Sequence, residues 1–271
     1  MDARARQLAW EQRWARPVAI AALAGIAAIV AAIVIATQAV GASDGDSELL
    51  RNVDAERGAQ LASSILQAIG VGLLAAPLYY LFRAANARSE TMRGQLIGVV
   101  VAAPIFLAVL ALLSGISTLH AASEFVSDEV PRLLANGVEL NSDRANDVAN
   151  DTISEAPLRP LAAGFGLGGQ LGFVIAMFYT AMHAMRAGLL PRFWGSLGMA
   201  LGAVSFIFFQ FALLWFVYLG FLIAGLVPGG RPHSWQSGEA EPWPTPGEKA
   251  AGDLPPPPER PEHPTEEERS R

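Results

Sequence analysis

Long runs of residues without a charge are the feature that most constrains the fold of this chain. Only 16% of its residues are charged, against about a quarter in a typical soluble domain. Each of the first four runs exceeds the roughly 20 apolar residues needed to cross a bilayer. The pattern predicts an all-α, polytopic transmembrane helical bundle. These four runs are Pro17–Val40, Leu61–Phe82, Gln95–Leu119 and Leu161–Met185.

The first run follows a short segment, residues 1–16, that is rich in arginine. A signal peptide also has a positive start, but its apolar core is only about 7–15 residues long. Pro17–Val40 is longer than that and is not followed by a clear small-residue cleavage site. We therefore expect an uncleaved first span after a cytoplasmic N-terminal segment, with Trp10 and Trp14 on the inner membrane surface.

The last apolar run, Phe193–Val227, holds 35 residues without a charge. As one helix it would extend about 50 Å, well beyond a hydrocarbon core of about 30 Å. We favour two short spans with a turn near Phe208–Phe211, and a single long tilted helix is the five-span alternative. The predicted transmembrane domain covers 17–228 and has an external, partly helical loop at 120–160. Its six spans lie at about 17–40, 61–82, 95–119, 161–185, 192–208 and 211–228.

Arginine is distributed unevenly among the connections. Residues 1–16, residues 83–94 and the segment 186–192, which we call the elbow, hold nine arginines, whereas residues 41–60 and 120–160 are acidic. Positive loops stay in the cytoplasm. We therefore expect a multi-pass protein of the plasma membrane with both ends cytoplasmic. Its topology-setting residues are Arg83, Arg88, Arg93, Arg186 and Arg192.

The elbow and the residues after the last span resemble an uncharacterised family of polytopic actinobacterial membrane proteins. The resemblance rests on GLLPRFWGSLG, with Arg186, Gly188–Leu190 and Arg192-Phe193, and on the exit sequence Gly229–Pro232 followed by Trp235. It covers the last third of the chain clearly and the rest only in layout. Members of that family are taken to have six spans, which the resemblance implies here. The family has no established activity, so no catalytic residue is implied.

Residues 229–271 differ in composition from everything before them, because proline and acidic residues dominate. Such a segment has too few apolar residues to form a core. We expect a disordered tail from about Gly238, with Pro255–Pro258 in a polyproline II conformation. A proline-rich tail is also a possible docking site for a protein partner.

Two glycine patterns lie in the fourth span and after the elbow. Gly164–Gly169 matches the glycine spacing of a dinucleotide-binding loop, but it lacks the preceding strand which that loop requires. We interpret the glycines as helix-packing positions, where small residues let two backbones approach closely. The predicted packing residues are Gly164, Gly168 and Gly172, with Gly198 and Gly202 as their candidate partner.

The external loop carries an acidic residue at every fourth position, which would form one stripe on a helix. Asp143, Asp147, Asp151 and Glu155 are therefore either a solvated helix face or a weak divalent-cation site. We favour the solvated face and predict no metal site, because no glycine-turned calcium loop accompanies the stripe. His120 and His183 lie at opposite ends of their spans and cannot share a metal.

The composition also limits the classes of function. The chain has no cysteine, the interiors of the predicted spans contain no Asp, Glu, Lys or Arg, and no catalytic constellation is evident. We predict a non-enzymatic protein without a cofactor and without a nucleic-acid-binding surface. An interaction or scaffold protein is the favoured function. The alternative is a small-solute transporter or channel subunit, whose polar cavity would be lined by Ser63, Ser64, Gln67, Gln170 and Tyr179.

Overall fold

The computed structural model describes residues 2–41 and 43–243, and every regular element in them is helical. The all-α prediction is confirmed. In chain order the α-helices are α1 (Ala3–Val40), α2 (Asp46–Ala55), α3 (Arg57–Leu73), α4 (Ala75–Asn86), α5 (Ile97–Glu124), α6 (Val130–Ala135), α7 (Asp143–Glu155), α8 (Arg159–Arg186), α9 (Arg192–Val204), α10 (Phe209–Ala224) and α11 (Ser234–Ser237).

Four helical segments are long and apolar enough to cross a membrane, and each contains one of the first four predicted spans. α1 alone is one of them, and it continues through Pro17 without interruption. α3 and α4 together form the second. α5 continues through a π-helical turn (Phe125–Glu129) into α6 as the third, and α8 is the fourth.

The long helices form a ring in the order α1, α3, α5, α8, and the pair α9–α10 closes the ring against α1. The second segment bends where α3 ends, at Leu73. Pro77 has no amide hydrogen to donate to the carbonyl of Leu73, so the helical ladder is broken there. The bend brings α4 into the middle of the ring, where Leu78, Tyr80 and Phe82 are fully buried.

One end of the bundle carries a cap made of α2, α6 and α7, and we call it the cap end. The Ser47 hydroxyl donates to the Leu140 carbonyl at 2.6 Å, and the Ser47 amide donates to Asn146 Oδ1 at 3.1 Å. Ser142 is the N-cap of α7, because its hydroxyl accepts from the Ala145 amide at 3.4 Å. α2 forms within the acidic connection 41–60, for which no helix was predicted.

The last apolar run forms two antiparallel helices rather than one. α9 has 13 residues and α10 has 16, so they are about 20 and 24 Å long. The indole of Trp215 donates to the Trp194 carbonyl at 3.0 Å, and Trp194 stacks on Tyr218 with ring centroids 3.7 Å apart. The chain therefore reverses direction at residues 205–208, and each helix is shorter than the predicted span that it replaces.

The opposite end of the bundle, the elbow end, gathers the start of α1, residues 87–93, the elbow and residues 225–243. We call residues 225–243 the exit segment. It contains α11 and packs on the bundle instead of leaving it: the Trp235 indole donates to the Leu189 carbonyl at 3.0 Å, and the Trp243 indole donates to the Leu190 carbonyl at 2.8 Å. Disorder from Gly238 was predicted, yet residues 238–243 are in contact with the elbow and with α1. Residues 244–271, including Pro255–Pro258, lie outside the described residues.

Candidate functional site: a polar cavity between four helices

A cavity of about 340 Å³ lies between α3, α5, α8 and the start of α10. Three of the five polar residues predicted for a solute cavity line it, namely Ser64, Gln67 and Gln170. Four further polar residues join them from the neighbouring helices. The polar lining consists of Gln60, Ser64, Gln67, Ser114, Thr118, Gln170 and Gln210, and we call this space the polar cavity.

Helical spacing explains why these side chains meet. Gln60, Ser64 and Gln67 are separated by four and three residues, so they share one face of α3. Ser114 and Thr118 share a face of α5 for the same reason. Gly115 lies between them, and a Cβ there would come within 2.5 Å of the Ser64 Cβ. α3 and α5 therefore cross closely beside the cavity, and their polar faces meet.

The short α9–α10 hairpin leaves the space that the cavity occupies. The side-chain amide of Gln170 donates to the Ser205 carbonyl at the hairpin turn, which places the turn level with Gln170. α8 continues towards the cap end as far as Arg159, about 16 Å beyond that level. The hairpin does not fill this outer part of the ring, so α3, α5 and α8 surround an open volume there.

The floor of the polar cavity is apolar and closed. Val71, Leu107 and Phe209 line its base. On the elbow side, Phe209 contacts the fully buried Phe173, whose ring centroid is 5.2 Å away, and Phe173 stacks on Phe216. The cavity is therefore closed at one end. It is open around Gln67, Ser114 and Gln210, which are exposed, whereas packed aromatic rings separate it from the elbow end.

The lining offers hydrogen-bonding groups but no charge. The Ser64 hydroxyl donates to the Gln60 carbonyl and the Thr118 hydroxyl to the Ser114 carbonyl, both at 2.9 Å, so each keeps its oxygen free to accept. Within the described part of the chain, the side-chain amides of Gln60, Gln67 and Gln210 have no hydrogen-bond partner. The site therefore presents both donors and acceptors to an uncharged ligand.

The other two predicted lining residues lie elsewhere. Ser63 faces α1 and donates its hydroxyl hydrogen bond to the Ala32 carbonyl at 2.9 Å. The Tyr179 hydroxyl lies near the elbow end, where it accepts from the Arg93 amide at 2.6 Å. Gln60, Ser114, Thr118 and Gln210 were not predicted. The sequence could have indicated three of them. Gln60 lies four residues before Ser64 and so shares its helix face, and Ser114 and Thr118 are separated by the same spacing.

The predicted glycines occupy different interfaces. Gly172 packs against Ala103 of α5, while Gly164 and Gly168 are more open. Gly198 contacts Trp215 of α10 and Ala181 of α8, and Gly202 contacts Met177 of α8. The two glycine groups are therefore not partners of each other. Residues Gly164–Gly169 lie within α8, so they form no phosphate-binding turn.

The closest glycine crossing was not predicted. A Cβ on Gly25 of α1 would come within 2.7 Å of the Gly70 carbonyl oxygen, and a Cβ on Gly70 within 2.6 Å of the Gly25 carbonyl oxygen. These two backbones touch directly. The residues were missed because neither glycine has a second glycine four residues away in its run.

A buried ion pair forms the core of the elbow end. The Arg88 guanidinium donates to both carboxylate oxygens of Glu11, at 2.6 and 2.9 Å, and to the Ser234 carbonyl at 3.1 Å. Tyr80 stacks on Trp235 with ring centroids 5.7 Å apart and donates its hydroxyl hydrogen bond to the Glu11 carbonyl. We call these five residues the elbow-end cluster. It joins α1, α4 and the exit segment.

The five arginines predicted to set the topology all lie at the elbow end, but they differ in exposure. Arg88 is buried in the elbow-end cluster, and its partner Glu11 was not singled out by the sequence. Arg83 lies over the Trp10 ring at 4.0 Å, so Trp10 packs on α4 rather than lying free on a surface. Arg186 and Arg192 are exposed at the two ends of the elbow, and Arg93 is exposed at the end of the α4–α5 connection.

The acidic stripe is on the exposed side of α7. Asp143, Asp147, Asp151 and Glu155 all face away from the cap, while Ala145 and Ala149 face into it. Across residues 2–41 and 43–243, no group of three or more His, Asp or Glu side chains is placed to hold a metal ion. This arrangement corresponds to the solvated-face interpretation of the stripe.

No protein-family model matches the chain, and no curated protein or solved structure is significantly similar to it.

Proposed function

We propose that this protein is a multi-pass integral membrane protein of the plasma membrane, with six membrane segments. Four are full-length helices, and the α9–α10 hairpin supplies two shorter ones. The nine arginines of the first 16 residues, residues 83–94 and the elbow support a cytoplasmic elbow end. The six-segment layout is also the one implied by the resemblance to the actinobacterial membrane family.

The function that the geometry supports best is non-enzymatic binding of a small uncharged polar solute, as part of transport across the membrane. The observation that carries this proposal is the polar cavity, where seven uncharged hydrogen-bonding side chains from four helices surround about 340 Å³. Unsatisfied amides are costly at membrane depth. A solute rich in hydroxyl or amide groups would satisfy Gln60, Gln67 and Gln210, whereas a charged solute would find no counter-charge.

The closed floor leaves the cavity accessible around Gln67, Ser114 and Gln210. Passage to the elbow end would require the hairpin turn to move, because Phe209 and Phe173 seal the base. Within the described residues the turn is held by the Gln170 hydrogen bond to Ser205 and by aromatic contacts. The hairpin is thus the mobile gate of the proposed transport cycle.

The test is uptake of labelled solutes by vesicles that contain the purified full-length chain. Glycerol, erythritol and myo-inositol serve as uncharged probes, and choline and acetate as charged ones. We expect saturable uptake of at least one uncharged probe and none of the charged ones. The variant Gln67→Leu/Gln210→Leu should reduce that uptake about tenfold or more, since each lost hydrogen bond contributes about 1 kcal/mol.

The matched control is Gln38→Leu, which changes an exposed glutamine of α1 away from the cavity. It should leave uptake unchanged, and thermal unfolding of all variants shows whether they are folded. Equal uptake by wild type and the cavity variant, or uptake of charged and uncharged probes alike, would contradict the proposal.

A second candidate function is an accessory or scaffold protein that binds a partner through its proline-rich residues. The packing of Trp243 on the Leu190 carbonyl supports it, because this contact fixes the end of the described chain beside the elbow. A chain truncated after Trp243 should lose co-purifying proteins if this is the function, and should keep solute uptake if the first proposal is right.

A further inference from the structure

Two adjacent cavities lie at the elbow end, and Trp243 lines both of them. The smaller one, about 290 Å³, lies between Arg186 and Arg192. The larger one, about 870 Å³, is a groove between the base of the α9–α10 hairpin and the exit segment. Together they form a continuous surface that is cationic at one side and apolar at the other, which we call the elbow groove.

The cationic side of the groove is formed by the guanidinium groups of Arg186 and Arg192. Arg186 and Arg192 are exposed, and neither makes an ion pair within the described residues. Arg192 donates one hydrogen bond to the Trp243 carbonyl at 3.1 Å, which orients its guanidinium beside the small cavity. By contrast, Arg88 and Arg4 at the same end are paired with Glu11 and Glu239. Two free guanidinium groups around one cavity are suited to a phosphate, which arginine binds through two parallel hydrogen bonds.

The apolar side is lined by aromatic and aliphatic side chains. The stacked rings of Trp194 and Tyr218 form its wall, and Phe221 lies beside them. Phe193 and Leu226 at its margin are 67% and 69% exposed. Arg231 lies at the far end and is held by a hydrogen bond to the Leu222 carbonyl. An open apolar groove at this position suits an acyl chain that enters from the surrounding bilayer.

We propose that the elbow groove binds an anionic phospholipid, with the phosphate between Arg186 and Arg192 and an acyl chain along Trp194, Tyr218 and Phe221. The proposal rests on the membrane location and the cytoplasmic elbow proposed above, because anionic lipids attract basic segments at the cytoplasmic surface. It does not rest on solute transport, since the polar cavity lies on the other side of the aromatic floor.

The experiment uses the full-length protein in detergent and measures lipid binding by native mass spectrometry. The probes are dioleoyl phosphatidylglycerol, dioleoyl phosphatidylcholine and the short-chain dihexanoyl phosphatidylglycerol. We expect the wild type to prefer dioleoyl phosphatidylglycerol over both others. Arg186→Gln/Arg192→Gln should reduce its affinity about 25-fold, at about fivefold for each arginine near a membrane surface.

The matched control is Arg13→Gln/Arg16→Gln, which removes two exposed arginines of the same end that line neither cavity. It should keep the preference, and an equal loss in this control would overturn the site. Phe193→Ala/Leu226→Ala should weaken binding of the dioleoyl lipid, and this second variant leaves the charges in place. Equal binding of the dihexanoyl lipid by the wild type would overturn the acyl-chain part.

Two further outcomes separate this proposal from its alternatives. If only a chain truncated after Trp243 prefers phosphatidylglycerol, the acidic residues of 244–271 occupy the groove and the lipid assignment is wrong. If the protein is not recovered with membranes, the proposed membrane location is wrong. If it is recovered with membranes but binds both dioleoyl lipids equally, only the lipid site is wrong.

Discussion

At the scale of single residues, the most consequential pair is Glu11 with Arg88, because both side chains are almost completely removed from solvent. The sequence indicated that Arg88 lies on the positive side, and it gave no reason to separate Glu11 from the other polar residues of an arginine-rich N-terminal segment. The two residues are 77 positions apart, and nothing local in either segment encodes their pairing. The burial follows from the exit segment, which covers them.

Glu11→Gln removes the charge opposite Arg88 and leaves a buried guanidinium without compensation. We expect the free energy of unfolding to fall by about 3–5 kcal/mol, the usual cost of breaking a buried pair. The measurement is reversible unfolding in mixed micelles. Glu11→Gln/Arg88→Met should recover part of the loss, because it removes both charges. Arg4→Gln/Glu239→Gln removes an exposed ion pair and should change stability by less than about 1 kcal/mol; a comparable loss there would contradict the assignment.

The Gly25–Gly70 crossing gives a second test at this scale. Gly70→Ala would place a methyl group against the Gly25 carbonyl, and a backbone atom cannot rotate away, so α1 and α3 must separate. We expect a loss of about 1–3 kcal/mol of unfolding free energy.

The control for this test is Gly98→Ala, where a Cβ meets no atom within 4 Å. It should be neutral or stabilising by up to about 1 kcal/mol, because alanine favours a helix over glycine. Equal effects of the two substitutions would show that α1 and α3 do not cross at Gly70.

At the scale of elements, the four long helices could be predicted because uncharged runs of that length are typical of membrane-spanning helices. The helices and the turn of the last apolar run, Phe193–Val227, were harder to predict from the sequence. Its turn at residues 205–208 contains Ser205 and bulky apolar residues rather than glycine or proline. The turn is stabilised by tertiary contacts, including the Gln170 amide on the Ser205 carbonyl. The polar cavity was only partly predicted for the same reason, since its lining depends on where the hairpin stops.

The exit segment should be sensitive to acid. The hydrogen bond from Ser237 and the neighbouring His233 lower the pKa of Glu241. A carboxylate with a lower pKa in the packed state stabilises that state above its unfolded pKa. This stabilisation is lost as the pH falls through the packed-state value. We therefore expect hydrogen–deuterium exchange of residues 233–243, corrected for intrinsic rates, to increase below the ordinary carboxyl pKa.

Two substitutions check the origin of that pH dependence. Glu241→Gln should remove most of it, whereas Glu239→Gln, at the neighbouring exposed carboxylate, should leave most of it in place. An unchanged pH profile in Glu241→Gln would assign the effect to another group.

At the scale of the whole molecule, the described chain begins and ends at the same end of the bundle. Arg4 pairs with Glu239, and Arg88 contacts both Glu11 and Ser234. The sequence predicted this from the arginine distribution and from an even number of membrane segments. It could not predict that the exit segment packs on the elbow, because its proline and acidic content resembles that of the residues after it.

The absence of cysteine from the chain makes the topology directly measurable. We expect Ser154→Cys, on the exposed side of α7, to react with a membrane-impermeant maleimide in intact cells. Glu90→Cys and Ala240→Cys, both exposed at the elbow end, should react only after permeabilisation. Labelling of Glu90→Cys and Ala240→Cys on opposite sides would rule out the hairpin as a pair of membrane segments.

The contact of Arg88 with Glu11 and Ser234 has a consequence for biosynthesis. α1 and α4 leave the ribosome long before residues 234 and 235 are translated, so during synthesis Arg88 has its carboxylate partner but lacks the carbonyl and the aromatic cover that complete its site. The elbow-end cluster is complete only when the exit segment packs beside the start of α1. A chain cut short before Ser234 would therefore leave Arg88 without the carbonyl and the aromatic ring that cover it in the complete fold.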